Sequence, residues 1–245
     1  MPVLFPAAIP APIIERPSPN QGQRPGGGAA VDILLVHFTG LPTAAVALER
    51  LTQLGSGVSC HYTVDEDGTI YRHVAEECRA WHAGIGSWLG CRDINSRSIG
   101  VELVNPGHEF GYRPFPAEQM AAFSSLACDI IRRHAILPER VLGHSDIAPA
   151  RKQDPGELFD WRGLAADGIG IWPESGLSQL PSEDDSNATA GEVASMLTEW
   201  GYDVEGAGLP LTLLAFQRHF HPGWLSGLAL PETVRRLRAL LRMRV

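Results

Sequence analysis

Cysteine is scarce in this chain: four residues in 245, at positions 60, 78, 91 and 128, with no Cys-x-x-Cys spacing. That is too sparse for a small fold stapled by disulfides, so reduced thiols are expected. Positive charge is also short. Twenty Lys and Arg against 28 Asp and Glu leave a net charge of -8, which argues against a nucleic-acid partner, since such a protein carries a basic face or stripe. The arginines that crowd the end, from Arg235 to Arg244, read as the solvated face of a terminal helix. Long apolar runs are missing as well. No segment approaches the roughly 20 uninterrupted apolar residues that span a bilayer, so no membrane partner is expected. The first residues, Met1 to Ile14, are apolar but carry Pro at 2, 6, 10 and 12 and have no Lys or Arg ahead of the apolar stretch, a poor signal peptide. The expected location is cytoplasmic, with the periplasm as the alternative.

What is present divides the chain. Residues 1–30 read as an extended N-terminal arm, because Glu15 to Ala30 is rich in Pro, Gly and Asn and leads into the first strong strand, Val31 to Val36. Pro42 to Leu54 has helical spacing of Ala, Val and Leu, and Gly55-Ser56-Gly57 ends it. Val58 to Val64 and Thr69 to Val74, joined across Asp65-Glu66-Asp67-Gly68, read as a hairpin. Ser98 to Val104 is a further apolar strand with one acid inside it; Pro116 to His134 has long helical periodicity; Val141 to Gly143 is a short strand. The expected fold is α/β (α+β), a mixed central β-sheet flanked by helices over residues 31–173. Residues 174–187, mostly Ser, Glu, Asp and Pro, are the expected linker. Residues 188–245 hold three amphipathic patterns, Thr189 to Trp200, Leu209 to Phe220 and Pro231 to Met243, read as a small C-terminal three-helix domain.

The densest chemistry lies between Gly143 and Gly156, where His144, Lys152 and Asp154 share one loop. A zinc ion that does chemistry takes three protein ligands and leaves one position open. His144 and Asp154 offer two; the best third is His37, which ends the apolar strand at what would be a sheet rim. Pro155 favours extended backbone at Asp154, and in extended chain residues two apart point the same way, so Lys152 and Asp154 would face one cavity. In isolation Lys152 reads as a surface lysine; beside a metal-bound carbonyl it can stabilise an oxyanion. Glu102 is the second anomaly: a carboxylate inside an apolar strand must reach an accessible face or be desolvated at a cost of several kcal/mol. It can act as a general base, or be a salt-bridged acid on an exposed face. His61 can join the site face or be a hydrogen-bonded structural residue, and His82, after Trp81, reads as a pocket wall.

These residues resemble a family. The strand ending in His37, Val58 to Tyr62, Arg79 to Gly84, Asn95 to Glu102 and the His144 to Gly156 stretch are together similar to the zinc-dependent N-acetylmuramoyl-L-alanine amidases of the amidase_2 type. The resemblance implies one zinc per chain held by His37, His144 and Asp154, with Glu102 as catalytic acid/base and Lys152 as transition-state stabiliser. It implies substrate contacts from Trp81, His82, Ala83, Asn95 and His61. The phage branch carries Cys as third ligand and a Tyr near the position of Cys60; Asp154 and Cys60 point instead to the bacterial branch that includes the cytoplasmic anhydromuropeptide-recycling amidase and an outer-membrane lipoprotein amidase. The implied partners are muropeptides, with polymeric peptidoglycan as the alternative. The implied role is cell-wall recycling on the 1,6-anhydro form; an exported autolysin and a non-catalytic recognition protein are the rivals. The tail, Val193 to Tyr202 and Leu214 to Phe220, resembles a three-helix peptidoglycan-binding module, or serves as a structural cap.

Overall fold

The structure, a computed structural model, describes residues 12–25, 31–174 and 188–244. Nearly all of the expected linker, 175–187, lies outside the described residues, as do 1–11 and 26–30 of the expected arm. In chain order the first elements are β1 (Ile13–Glu15), β2 (Gln21–Gln23), β3 (Ile33–Phe38), α1 (Ala44–Thr52), β4 (Tyr62–Val64), β5 (Ile70–Arg72) and β6 (Cys78–Ala80). Then come α2 (Ile94–Arg97), β7 (Ser98–Leu103), α3 (Gly107–Phe110), α4 (Ala117–His134), β8 (Val141–Gly143), α5 (His144–Ile147) and α6 (Trp161–Ala166). The last four are α7 (Ala190–Trp200), α8 (Val204–Ala207), α9 (Leu209–Phe220) and α10 (Pro231–Met243).

A mixed sheet is present, as expected: six strands in the order β1-β5-β4-β7-β3-β8, with β4 and β5 antiparallel and the other pairs parallel. Side chains alternate across a strand, and the two faces of this sheet bury different partners. Leu34, Val36, Ile99, Val101 and Leu103 join Phe123, Leu126, Ala127 and Ile130 of α4 and Trp161 and Leu164 of α6 in one core. Ile33, Leu35 and Leu142 face the other way and join Val193, Leu197 and Trp200 of α7, Leu213, Phe216 and Phe220 of α9 and Val234, Leu237 and Leu240 of α10. The buried residues of α7 fall four and three apart, one stripe of a helix whose start is fixed by a capping box between Thr189 and Glu192. The C-terminal helices, read from the sequence as a small separate domain, thus cover the second face of the catalytic sheet. The reason is physical: about 55 residues of helix lie near the lower limit for folding alone, and a sheet with an apolar second face must bury it.

The described part of the arm, residues 12–25, is likewise part of the body rather than a leader outside the core. β1 adds the edge strand beside β5, and β2 pairs with β6 in a two-stranded sheet. Between them Ser18 Oγ donates to the Leu51 carbonyl at 2.6 Å and Asn20 Nδ2 to the Gln53 carbonyl at 2.8 Å, satisfying acceptors left open at the end of α1. Arg24 is buried, with its guanidinium donating to the carbonyls of Glu76, Asn95, Ser96 and Ser98 at 2.8 to 3.1 Å.

Glu76 ties the end of α4 to β4, accepting from Tyr62 Oη at 2.8 Å, Arg133 Nη2 at 2.6 Å and His134 Nε2 at 2.6 Å. Burial alone would raise its carboxyl, but these donors outweigh it and hold the group at about 2, below the ordinary 4.5. A carboxylate depressed by folding stabilises the fold above its unfolded value, and that contribution disappears as pH falls towards the folded value. The native chain is therefore expected to carry about 3 kcal/mol above pH 5 that Glu76→Gln lacks, most of it lost by about pH 2. Urea unfolding of both proteins across that range checks it; parallel pH profiles would remove Glu76 from the account.

Candidate active site

β3, β7 and β8 run parallel, so their last residues emerge at one edge of the sheet, the edge where open α/β sheets form their clefts. His37 is paired in register with Glu102, and Val36 with Gly143, which brings His144 beside His37. His37 continues the row of Ile33 and Leu35, so the site opens above the core that the C-terminal helices fill. The loop after α5 returns Asp154 to the same point. His37 Nδ1 and His144 Nδ1 lie 2.9 Å apart, and Asp154 Oδ2 is 3.1 and 3.0 Å from them. All three residues are buried.

Their outer partners settle which ring nitrogens carry protons. His144 Nε2 is 2.9 Å from the Ala83 carbonyl, which only accepts, so the proton sits there and Nδ1 presents a lone pair. Ser98 donates its hydroxyl to the Ile94 carbonyl at 2.7 Å and accepts from His82 Nε2 at 3.3 Å. His82 Nδ1, 3.0 Å from His37 Nε2, is then the acceptor, and His37 too presents Nδ1 as a lone pair. Burial first, then the neighbouring His144 charge, against the opposing pull of Asp154, lowers His37 to about 4, so it is neutral near pH 7. Asp154 is shifted well below the usual carboxylate range: burial would raise it, and His144 and His37 outweigh burial. Two imidazole lone pairs and a carboxylate oxygen converge with no proton to share, a donor set that can hold a metal cation.

The cleft beside this cluster has a volume of about 250 Å³ and is lined by Trp81, His82, Glu102, His144, Lys152 and Asp154 among others. Lys152 and Asp154 face it together, and Trp81 and His82 form wall. Glu102 Oε2 is buried without a hydrogen-bond partner. Burial, and next the charge of Asp154, raise the Glu102 carboxyl well above its ordinary value, with Lys152 pulling the other way. A half-buried carboxyl with one buried oxygen that finds no protein partner is suited to take and return a proton.

Three expected substrate contacts sit behind the cleft instead. Asn95 Oδ1 accepts from the backbone N–H of His82 at 3.0 Å and of Ala83 at 2.8 Å, so it holds that turn. Ala83 is fully buried and offers the site its carbonyl, through His144. His61 is fully buried, its Nδ1 accepting from Gly100 N–H at 2.9 Å and its Nε2 facing the Cys78 carbonyl at 3.2 Å; burial, chiefly, lowers it to about 3. His82 lines the cleft but has both nitrogens engaged. Sequence reasoning missed Ser98 and Gly100. A Cβ on Gly100 would lie 2.4 Å from His82 Nδ1, so only glycine leaves room for that ring. Gly100→Ala is expected to push His82 away from His37 and lower metal affinity about 10- to 100-fold. Competition with a chelator measures this; unchanged affinity would show that His82 does not support His37.

A proton-poor donor set that can hold a metal cation, beside an acid and a lysine at the carboxyl edge of a mixed sheet, is an arrangement suited to hydrolysis. Residues 27–157 match the model of the Amidase_2 family, N-acetylmuramoyl-L-alanine amidase, and the chain belongs to that family. It is 37% identical over 230 residues to the N-acetylmuramoyl-L-alanine amidase AmiD of Escherichia coli, covering 86% of this chain and 82% of AmiD. It is 36% identical over 137 residues to the 1,6-anhydro-N-acetylmuramyl-L-alanine amidase AmpD of Escherichia coli, covering 55% of this chain and 70% of AmpD. The structure of AmiD in complex with anhydro-N-acetylmuramic acid-L-Ala-D-γ-Glu-L-Lys superposes with a TM-score of 0.77 at 35% identity, covering 90% of this chain and 92% of AmiD. AmpDh3 of Pseudomonas aeruginosa gives 0.78 at 31% identity, covering 89% and 94%.

Proposed function

We propose that this chain is a zinc-dependent enzyme that hydrolyses the amide between N-acetylmuramic acid, in its 1,6-anhydro form, and L-alanine of the stem peptide, in cell-wall recycling. The observation that carries the proposal is the convergence of His37 Nδ1, His144 Nδ1 and Asp154 Oδ2 beside the unpartnered Glu102 carboxyl. Those three residues would hold one zinc ion, which when bound supplies Lewis acidity towards the scissile carbonyl and the attacking water. The chain's own groups do the rest. Glu102 takes the proton of the attacking water and returns it to the leaving amine of L-alanine. Lys152 sets its ammonium where the carbonyl oxygen gathers negative charge. Trp81 and Phe38 wall the cleft and keep bulk water from it.

The complexes of AmiD and AmpDh3 with anhydromuramyl peptides support the anhydro form. Side-by-side digestion of soluble anhydromuropeptides and purified sacculi, read by mass spectrometry, tests it. Release of free anhydromuramyl sugar and peptide from the soluble species is the expected result; strong release from sacculi with no cleavage of the soluble species would assign polymeric peptidoglycan instead. Sedimentation of the full chain with sacculi tests the wall-binding role that the C-terminal helices suggest by resemblance. The cytoplasmic location belongs to the same proposal, and fractionation of cells expressing the full gene tests it.

A further inference from the structure

The C-terminal helices reach the metal cluster by a route the reaction does not itself use. Asp146, in α5 two residues beyond His144, is completely buried. Its Oδ2 accepts from the Gly143 N–H at 2.7 Å, which fixes the turn from β8 into α5. Its other donors come from the far end of the chain: Tyr202 Oη lies 2.6 Å from Oδ1, and His219 Nδ1 lies 2.7 Å from Oδ2. Both donors are themselves rigidly packed. The Tyr202 ring stands edge-on to Trp88 with centroids 5.0 Å apart, and the His219 ring is stacked against Trp161 and Phe220, each at 3.8 Å.

A buried carboxylate is tolerated only where donors replace water, and removing one partner leaves the remainder costly. Without Tyr202 and His219, Asp146 would keep a single backbone donor and would relieve its burial by turning towards solvent. That movement would release the Gly143 N–H and with it the start of α5, a four-residue helix whose first residue is His144. The Nδ1 of His144 has to meet His37 and Asp154 within a few tenths of an ångström, so the helix cannot shift without opening the cluster.

We infer that Tyr202 and His219 are positioning residues: the C-terminal helices clamp Asp146 and thereby hold His144 in the geometry that binds metal. The inference rests on the zinc reading of the cluster. It makes the C-terminal helices part of the active-site scaffold, whatever they also do at the cell wall.

The test uses the full chain with Tyr202→Phe, His219→Leu and the double substitution, and Leu237→Ala of α10 as a comparison. Tyr202→Phe removes one oxygen and keeps the ring, so it retains the packing against Trp88. Three readouts apply: zinc release to a chelator, the visible spectrum of the cobalt-loaded protein, and hydrogen exchange at the Gly143 amide without metal. The clamp variants are expected to release zinc about 10- to 100-fold faster, to change the cobalt spectrum and to lose protection at Gly143. Leu237→Ala, which creates a cavity in the same core without touching Asp146, is expected to lower Tm and leave all three close to wild type. His219→Gln, which retains a donor, should recover part of the loss. Wild-type zinc release and Gly143 protection in the double variant would overturn the inference, as would equal changes in Leu237→Ala. Wild-type protein that takes up no zinc would sink the zinc reading alone, because Gly143 exchange tests the clamp without metal.

Discussion

Glu102→Ala is expected to lower turnover about 10²- to 10⁴-fold, the usual worth of a positioned acid/base, while zinc content stays at one per chain. Oε2 of Glu102 is buried without a partner, and the carboxyl's protonation is displaced upwards by desolvation and by Asp154. Such a group contributes nothing obvious to the fold and is held in an unfavourable state. Its removal should therefore leave Tm unchanged or slightly raised, the signature of a residue kept for chemistry at the expense of stability. Steady-state kinetics on an anhydromuropeptide, with metal analysis and calorimetry on the same preparation, would check all three. Wild-type-like turnover would take the proton-transfer role away from Glu102, and loss of zinc would place it among the ligands.

His37→Ala is expected to abolish stoichiometric zinc. The effect should exceed the roughly 10- to 100-fold that follows from disturbing an outer partner of a metal ligand, so it should lie well beyond Gly100→Ala. The difference in size separates the two roles: His37 Nδ1 is one of the three converging donors, whereas His82 only fixes which nitrogen His37 presents. Metal analysis of purified protein and chelator competition measure both variants on one scale. Unchanged stoichiometry in His37→Ala would remove it from the metal site.

His37 and Glu102 could be picked out in the sequence because one ends and the other interrupts an apolar strand, and a polar residue there must face something. The same logic found the helices now seen as α4, α7, α9 and α10, whose periodic stripes are long enough to stand above local noise. It failed where the determinant is a single hydrogen bond to a distant backbone atom. β1, β2 and β6 are three residues each, too short to show a period. Ser18, Asn20 and Arg24 sit in a stretch whose composition reads as irregular, and their targets are carbonyls, which leave no mark on residue type. His61 and His82 looked alike as site residues. What separates them is that Gly100 offers one its N–H and yields space to the other. His219 is buried on Asp146 for the same kind of reason, a partner that residue type alone does not reveal.

The family pattern covers residues 27–157. The object that folds is larger at both ends. A cut made at the first boundary removes Arg24 and strands the buried carbonyls of Asn95, Ser96 and Ser98 around α2, along with that of Glu76. A cut at the second removes Trp161 and Leu164 from one core and α7, α9 and α10 from the other. What kinship recognises in this chain is therefore a chemical kernel, and a fragment trimmed to that kernel would carry every catalytic group yet lack the means to keep water out of its interior.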